Sequence, residues 1–413
     1  MKLPVRMLAL ACMTCAAYAA VSTAQAATLN VTVSARGNQR ATWQNAFDEF
    51  KKANPDVDLK ISYVGEEAYK VQMSGWLATD PPDVLSWHNG ERMAYFAKRG
   101  LLADLSPDWQ KNGWNQTYAS VKSSSTYAGK QYSVPLGTDA YGFFYRKDLF
   151  QKAGITSEPT TWAQLLDDCK KLKAAGIAPI AVPARDAWTL AAWFDYLDLR
   201  VNGYAFHQQL MAGDVAYTDP RVKHVYEMWK TLIDNKYFID NALSYDVDST
   251  SPLLVNGQAA MLLMGTFFSA GLPAATRDQM GYFRFPVIDA SIPVAEDGPV
   301  NVLIMPAKAK NKADARRLLA FMGQPQINGE LAKGWGQLPS NNQAAEPQDP
   351  ISKVGFHTLS STTGGIAQFY DRDMTKEMAD EGMKAMQQFY SDPNQLDSIL
   401  QHLEATRKRI YKK

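Results

Sequence analysis

The sequence predicts an α/β protein of two domains, on three observations. At 413 residues the chain is longer than one compact domain usually runs. Its first part alternates short β-branched runs with amphipathic segments in the order β-α-β-α-β, which implies a parallel sheet covered by helices. With 46% hydrophobic and 21% charged residues, it has the composition of a soluble globular chain.

The elements follow in order. Residues 29–34 alternate apolar and polar positions and read as a strand, with a loop at 35–40. Trp43, Phe47 and Phe50 then recur at helical spacing until Asn54-Pro55 stops the helix. A second strand is expected over 57–64, a helix over 69–78, and a third short strand over 83–87 after Pro81-Pro82. A helix over 95–100 ends at a glycine. Residues 132–145 form a long extended aromatic run interrupted by Pro135 and Gly137, as a chain crossing between lobes would. Further helices are expected over 162–175, 188–204, 224–236 and 313–322, and strands over 177–182, 259–264 and 301–305. The tail from 374 to 410 reads as two helices split at Asp392-Pro393.

Residues 1–26 read as a secretion signal. Lys2 and Arg6 precede an apolar run over 7–20, and Ala24-Gln25-Ala26 gives a small-residue cleavage site, so the mature chain is expected from Ala27. Neither Cys12 nor Cys15 has a lipobox before it. Removing the signal leaves Cys169 as the single cysteine, so no intramolecular disulfide can form. It also removes two basic residues, leaving 43 − 2 = 41 against 42 acidic, a balance of −1. That gives no electrostatic reason to expect nucleic acid or an anionic membrane as a partner. The apolar stretch 259–275 is too short and too broken by Gly265, Gly271 and Pro273 for a membrane span, and reads as a buried strand, a turn and a helix start.

In parallel sheets ligands sit at the carboxyl ends of the strands, which selects the loops 35–39, 65–69 and 87–91. No glycine-rich phosphate loop is present. The five histidines (88, 207, 224, 357 and 402) show no zinc spacing, and there is no nucleophile elbow. The expectation is therefore a binding protein without cofactor or metal and not an enzyme. A secreted carbohydrate-active hydrolase is the alternative, because paired carboxylates are too common in a sequence to exclude.

Several landmarks, in order, carry a resemblance. They are Trp43-x3-Phe47-x2-Phe50-x4-Pro55; Pro82-Asp83-Val84; the run 97–105; Gly129-Lys130-Gln131-Tyr132-Ser133-Val134-Pro135; and the run 144–150. Pro159-Thr160-Thr161-Trp162-x2-Leu165, the run 256–261 and Gly336-x-Leu338-Pro339 complete the series. Over about 28–411 the chain resembles the extracellular solute-binding proteins of family 1. That resemblance implies a type II periplasmic-binding-protein fold with a ligand cleft between two lobes. The expected lobes are 27–138 plus 303–345 and 139–302 plus 346–413, with crossings near 136–139 and 298–304. It further implies a periplasmic, monomeric protein that closes on a sugar and delivers it to the transmembrane subunits of an ABC permease.

A sugar site needs flat aromatic faces for C–H surfaces and polar side chains for hydroxyls. The resemblance places Trp87 at a stacking position and Asp139 at an acidic sugar-binding position. His88 and Asn89 follow Trp87, and Tyr141 follows Asp139. Phe267 stands where the family often has tryptophan, and Asn301 stands in place of a family glycine. Trp188 near a helix start, Trp335 before Gly336, Glu67 and Tyr69 after the second strand, and Arg36, Asn38 and Gln39 after the first complete the candidates. A core role is the competing reading for each aromatic. Asp371-Arg372 reads as a surface ion pair, with a cleft pair as the alternative.

Overall fold

The computed structural model describes residues 28–35, 37 and 39–412; the secretion-signal expectation, Arg36 and Asn38 lie outside them. Two sheets organise the fold. In the first, Leu29–Ser34 pairs in parallel with Leu59–Val64 over six residues and with Val84–His88 on its other edge. Val31 and Val33 of this central strand are buried, as the β-branched alternation requires. Val300–Ile304 then inserts antiparallel between Val84–His88 and Ser133–Thr138, and Leu338–Pro339 closes the edge. Late segments of the chain thus complete a sheet begun by early ones.

The second sheet holds Met280–Arg284, Tyr141–Arg146, Ala259–Gly265 and Ala178–Ala181, in that order. The extended run 132–145 is two strands, one in each sheet, and Asp139-Ala140 is the junction. The return passes through Glu296–Asp297, which pairs with Ile366–Ala367, before Val300–Ile304 joins the first sheet. That strand enters the first sheet at Val300, three residues before the expected boundary at 303. Separate apolar clusters pack on the two sheets: Trp43, Phe47, Phe50 and Trp109 on the first, Phe143, Trp193, Trp229 and Phe389 on the second.

Local chemistry sets several boundaries. Thr161 Oγ1 accepts from Gln164 N while Gln164 Oε1 accepts from Thr161 N, a reciprocal cap that starts Trp162–Ala174. The expected helix 69–78 begins earlier, at Glu66, because Gly65 ends the strand directly into the first turn. The expected helix 188–204 stops at Val201; Gly203 takes φ +79 and a second helix, Tyr204–Met211, follows. Pro325–Trp335 and Pro350–Ser360 are helices the sequence did not reveal. The first contains Asn328, Gly329 and Gly334, weak helix formers, and is held by burying Ile327, Leu331 and Trp335 on one face.

Candidate functional site

A cavity of about 140 Å3 lies between the two sheets, at the carboxyl ends of the first three strands. The strands of the first sheet contribute Ser34, Trp87 and His88, and the helices that follow the first two strands add Gln39, Trp43, Glu66, Tyr69 and Lys70. The second sheet contributes Tyr141, the start of helix Trp188–Val201 adds Trp188, the turn after Ala259–Gly265 adds Phe267, and the tail contributes Phe369, Asp371 and Arg372. Asp139 and Gln337 line it where the chain crosses.

On the first wall, Glu66 is the central carboxylate. Ser34 Oγ donates to its Oε2 at 2.5 Å, and Lys70 Nζ and His88 Nε2 each stand 3.4 Å from its Oε1. Glu66 opens its helix and turns back into the cleft; Glu67, a helical step round, does not. The side chain of Glu66 is 19% exposed and that of Glu67 is 64% exposed. His88 lies on Trp87 with ring centroids 5.3 Å apart. Burial, reinforced by the positive charge of Arg372, pushes the His88 imidazole down to about 3, so it is neutral at physiological pH. Trp87 is itself largely buried, with its indole N–H on Arg92 O at 3.2 Å.

On the second wall, Tyr141, Trp188, Phe267 and Phe369 form one aromatic surface. Phe369 lies 5.0 Å from Tyr141 and 6.2 Å from Trp188 between centroids, and Phe267 lies 6.4 Å from each. Phe369 has φ +127, a conformation that costs a non-glycine residue roughly 1–3 kcal/mol and is retained where surrounding structure enforces it. It leads into Tyr370–Asp373, the short helix carrying Asp371 and Arg372.

That short helix bridges the cleft. Arg92, on the first lobe, pairs with the Asp371 carboxylate and donates through Nε to Asp371 O at 2.8 Å. Burial would raise the Asp371 carboxyl, but Arg92, Lys70 and Arg372 bring it below its usual range. Arg372 Nη1 donates to Asn301 Oδ1 at 3.3 Å, across the same gap. The surface ion pair expected at Asp371-Arg372 is therefore an inter-lobe contact.

Asp139 is buried at the crossing. Gln337 Nε2 donates to Oδ2 at 2.7 Å; Phe267 N and the Thr266 hydroxyl donate to Oδ1 at 3.1 and 3.2 Å. Burial pushes its carboxyl up to about 6 despite these donors.

Of the residues expected at the site, Trp87, His88, Asp139, Tyr141, Trp188, Phe267, Asn301 and Trp335 line the cavity, as do Tyr69 and Gln39. Two are corrected. Asn89 is fully buried behind its strand, where its amide is consumed by Ser125 and Ser124 and its oxygen by Ser133. Glu67 points away from this cavity for the helical reason given above. The residues not anticipated include Glu66, Lys70, Ser34, Trp43, Gln337 and Phe369. Gln337 is the variable position of Gly336-x-Leu338-Pro339, so the motif located it without identifying it.

The lining carries four buried polar atoms with no hydrogen-bond partner among the described residues: His88 Nδ1, Trp188 Nε1, Trp335 Nε1 and Gln337 Oε1. Two donate, the amide oxygen accepts, and the imidazole nitrogen accepts when its other nitrogen faces Glu66. All four belong to uncharged groups, whereas Glu66, Lys70, Asp139, Asp371 and Arg372 have protein partners. The charged groups of the lining are thus paired within the protein, and the lining leaves no net charge for a ligand to balance. Among the described residues no group of three or more histidine, cysteine or carboxylate side chains is arranged to hold a metal.

The bacterial extracellular solute-binding protein profile matches residues 35–328. A diacetylchitobiose-binding protein of Streptomyces coelicolor is 27% identical over 78% of this chain and 77% of its own. An uncharacterised ABC transporter extracellular-binding protein of Pyrococcus horikoshii is 26% identical, covering 79% and 74% of the two chains. Among solved structures, a bacterial solute receptor with an exclusive preference for β-D-galactopyranose superposes with a TM-score of 0.87 at 26% identity. That match covers 93% of this chain and all of the receptor. A chitin oligosaccharide binding protein shares the two-lobed fold with a TM-score of 0.85 at 21% identity, over 94% and 100%.

Proposed function

We propose that this chain, which belongs to the bacterial extracellular solute-binding protein family, captures a neutral saccharide between its lobes and hands it to the transmembrane subunits of an ABC importer. The observation that carries the reading is the Tyr141–Trp188–Phe267–Phe369 surface set across the cavity from Ser34, Glu66 and His88, with every charged group of the lining paired within the protein. Sugars present apolar C–H faces ringed by hydroxyls that both donate and accept, which is the complement of that arrangement. The relatives' ligands, diacetylchitobiose and galactopyranose, belong to the same chemical class.

Trp188 and the second-lobe aromatics supply the stacking face in this reading. Ser34, Glu66 and His88 on the facing wall meet the hydroxyls. The cavity has room for about ten waters, the scale of one or two pyranose rings. Capture and release in a periplasmic or extracellular space need no bond chemistry, and every carboxylate of the cleft already serves a protein donor. The family places the protein outside the cytoplasm.

The test is a thermal-shift screen of neutral mono- and oligosaccharides. A ligand at 100 times its dissociation constant adds about 2.7 kcal/mol of stability. One class of saccharide should raise the melting temperature and be recovered intact. Its conversion to shorter products would favour the hydrolase reading instead.

A further inference from the structure

Phe369 reaches the cavity from a backbone conformation that its own residue type resists. Its φ of +127 and ψ of +144 fall beside a region open in practice to glycine alone, so an unrestrained chain would leave it and turn the ring out of the wall. We infer that Asp195 and Asp373, two carboxylates outside the cavity, are positioning residues for ligand capture: they grip the chain on either side of Phe369 and hold its ring beside Tyr141 and Trp188. The consequence for affinity rests on the saccharide reading above; the grip on the backbone does not.

The contacts bracket the residue. Asp195 Oδ2 accepts from Tyr370 N at 2.7 Å, and Asp373 Oδ2 accepts from Gln368 N at 2.9 Å. Gln208 Nε2 donates to the same Asp373 oxygen at 3.2 Å and steadies it. The Phe369 carbonyl accepts from Arg372 N at 2.8 Å and from Asp373 N at 2.9 Å, so the peptide plane it shares with Tyr370 N is held from both ends. The chain is anchored before and after Phe369, and a return to negative φ breaks one anchor or the other.

The second lobe builds these anchors into its core. Asp195 lies on the helix Trp188–Val201, about two turns beyond Trp188, so one helix supplies a cavity aromatic and the grip on its neighbour. Tyr370 is buried, with its hydroxyl 2.9 Å from that of Tyr217. Asp195 is fully buried too, and its Oδ1 has no hydrogen-bond partner among the described residues; His207 Nε2 stands 4.0 Å from it. Burial, with the charge of Asp297 added, pushes the Asp195 carboxyl well above the usual carboxylate range, toward the neutral form that asparagine reproduces. An acceptor oxygen at this position is therefore what the turn needs, and a negative charge is not.

The test uses the full chain with Asp195→Ala, Asp195→Asn and Asp373→Ala, each alone and combined with Phe369→Gly. Glycine removes the ring and takes the conformation without a grip. One readout is the fluorine NMR spectrum of ligand-free protein carrying para-fluorophenylalanine at position 369 alone. The other is calorimetric titration with galactose and with diacetylchitobiose. Wild type and Asp195→Asn should share one resonance, and both alanine variants should displace or broaden it. Against the probe sugar that binds, each alanine variant should lose tenfold or more in affinity, and Asp195→Asn should stay within threefold of wild type. In the Phe369→Gly background the alanine changes should cost less than a further twofold. An unmoved resonance in both alanine variants would overturn the inference. So would a tenfold loss that persists in the Phe369→Gly background, or an Asp195→Asn variant as weak as Asp195→Ala, since either marks general support of the lobe. Should Asp195→Ala fail to fold, Asp195→Asn and the half-buried Asp373→Ala decide by the same readouts. If wild type binds neither sugar, the capture reading loses its support, and the resonance alone upholds or overturns the positioning.

Discussion

Gln337 Nε2 donates to Asp139 Oδ2 at 2.7 Å, joining two residues 198 positions apart at the point where the chain passes between lobes. The other oxygen of Asp139 takes Thr266 and the Phe267 N–H of the second lobe. Asp139 is thus a fixed point of the hinge as much as a wall of the cleft. Asp139→Ala should lower folding stability by about 1–3 kcal/mol, because buried donors lose their acceptor, and should weaken ligand binding as the crossing loosens. Chemical denaturation and calorimetry of the variant check both. Unchanged stability would mean that the three donors find other acceptors.

Glu66 and Glu67 are adjacent in sequence and opposite in role. Glu66→Gln should weaken binding by about 1.5–3 kcal/mol, the loss of a charged hydrogen-bond acceptor. Glu67→Gln should leave binding to the central cavity within twofold. Titration of the two variants with the same ligand settles which residue serves the cleft, and a larger effect at Glu67 would contradict the helix phase described here.

His88 predicts an acid-sensitive closed state. Its imidazole is held at about 3 in the folded protein against 6.5 when free, so the unfolded or opened chain binds the proton first. The stability this group contributes is present above pH 6.5 and is lost as pH falls from there toward 3. Asp139 acts in the opposite sense. Its carboxyl is raised to about 6 from 3.8, so its contribution is full below 3.8 and is lost as pH rises through 6. The displacement at His88 is the larger. Glu66, Arg372, Arg92 and Asp371 surround the ring and are present in both proteins compared. Melting temperatures of the ligand-bound protein between pH 7 and pH 4.5 should fall more steeply in the wild type than in His88→Gln. Equal slopes would remove His88 from the account.

Gly90 reports on lobe closure. It has φ +74, and a β-carbon there would stand 2.4 Å from Arg372 O of the opposite lobe. Gly90→Ala should cost roughly 1–3 kcal/mol in stability, because φ +74 with ψ −149 is a conformation nearly confined to glycine, and should in addition weaken ligand binding tenfold or more, because the collision exists only when the lobes meet. Affinity unchanged from wild type would show that closure does not bring these two segments together.

The parallel order of the first three strands was legible because β-branched alternation and helical spacing are local signals. The crossing at Asp139 was legible as an interruption in an extended aromatic run. The phase of the helix after Gly65 was not, since placing its start at Tyr69 turns attention from Glu66 to Glu67. Asn89 misled because a polar residue after a strand end is equally suited to a cleft or to a cluster of serines behind the strand, two of them buried, and only tertiary packing decides. Phe369 gave no local signal at all. Its position depends on a rare backbone conformation and on aromatic neighbours more than 100 residues away in sequence. Helix Pro325–Trp335 was hidden by its own glycines and is held by burial rather than propensity.

The central claim is that a saccharide draws two lobes together around the cavity between Glu66 and the Tyr141–Trp188–Phe267–Phe369 surface. A ligand that touches both walls binds the closed form better and shifts the population toward it. Small-angle X-ray scattering of the protein, alone and saturated with the saccharide that most raises its melting temperature, measures this directly. The account predicts a smaller radius of gyration on binding, with the sugar recovered intact. An unchanged radius at saturation, with the sugar cleaved, would contradict it.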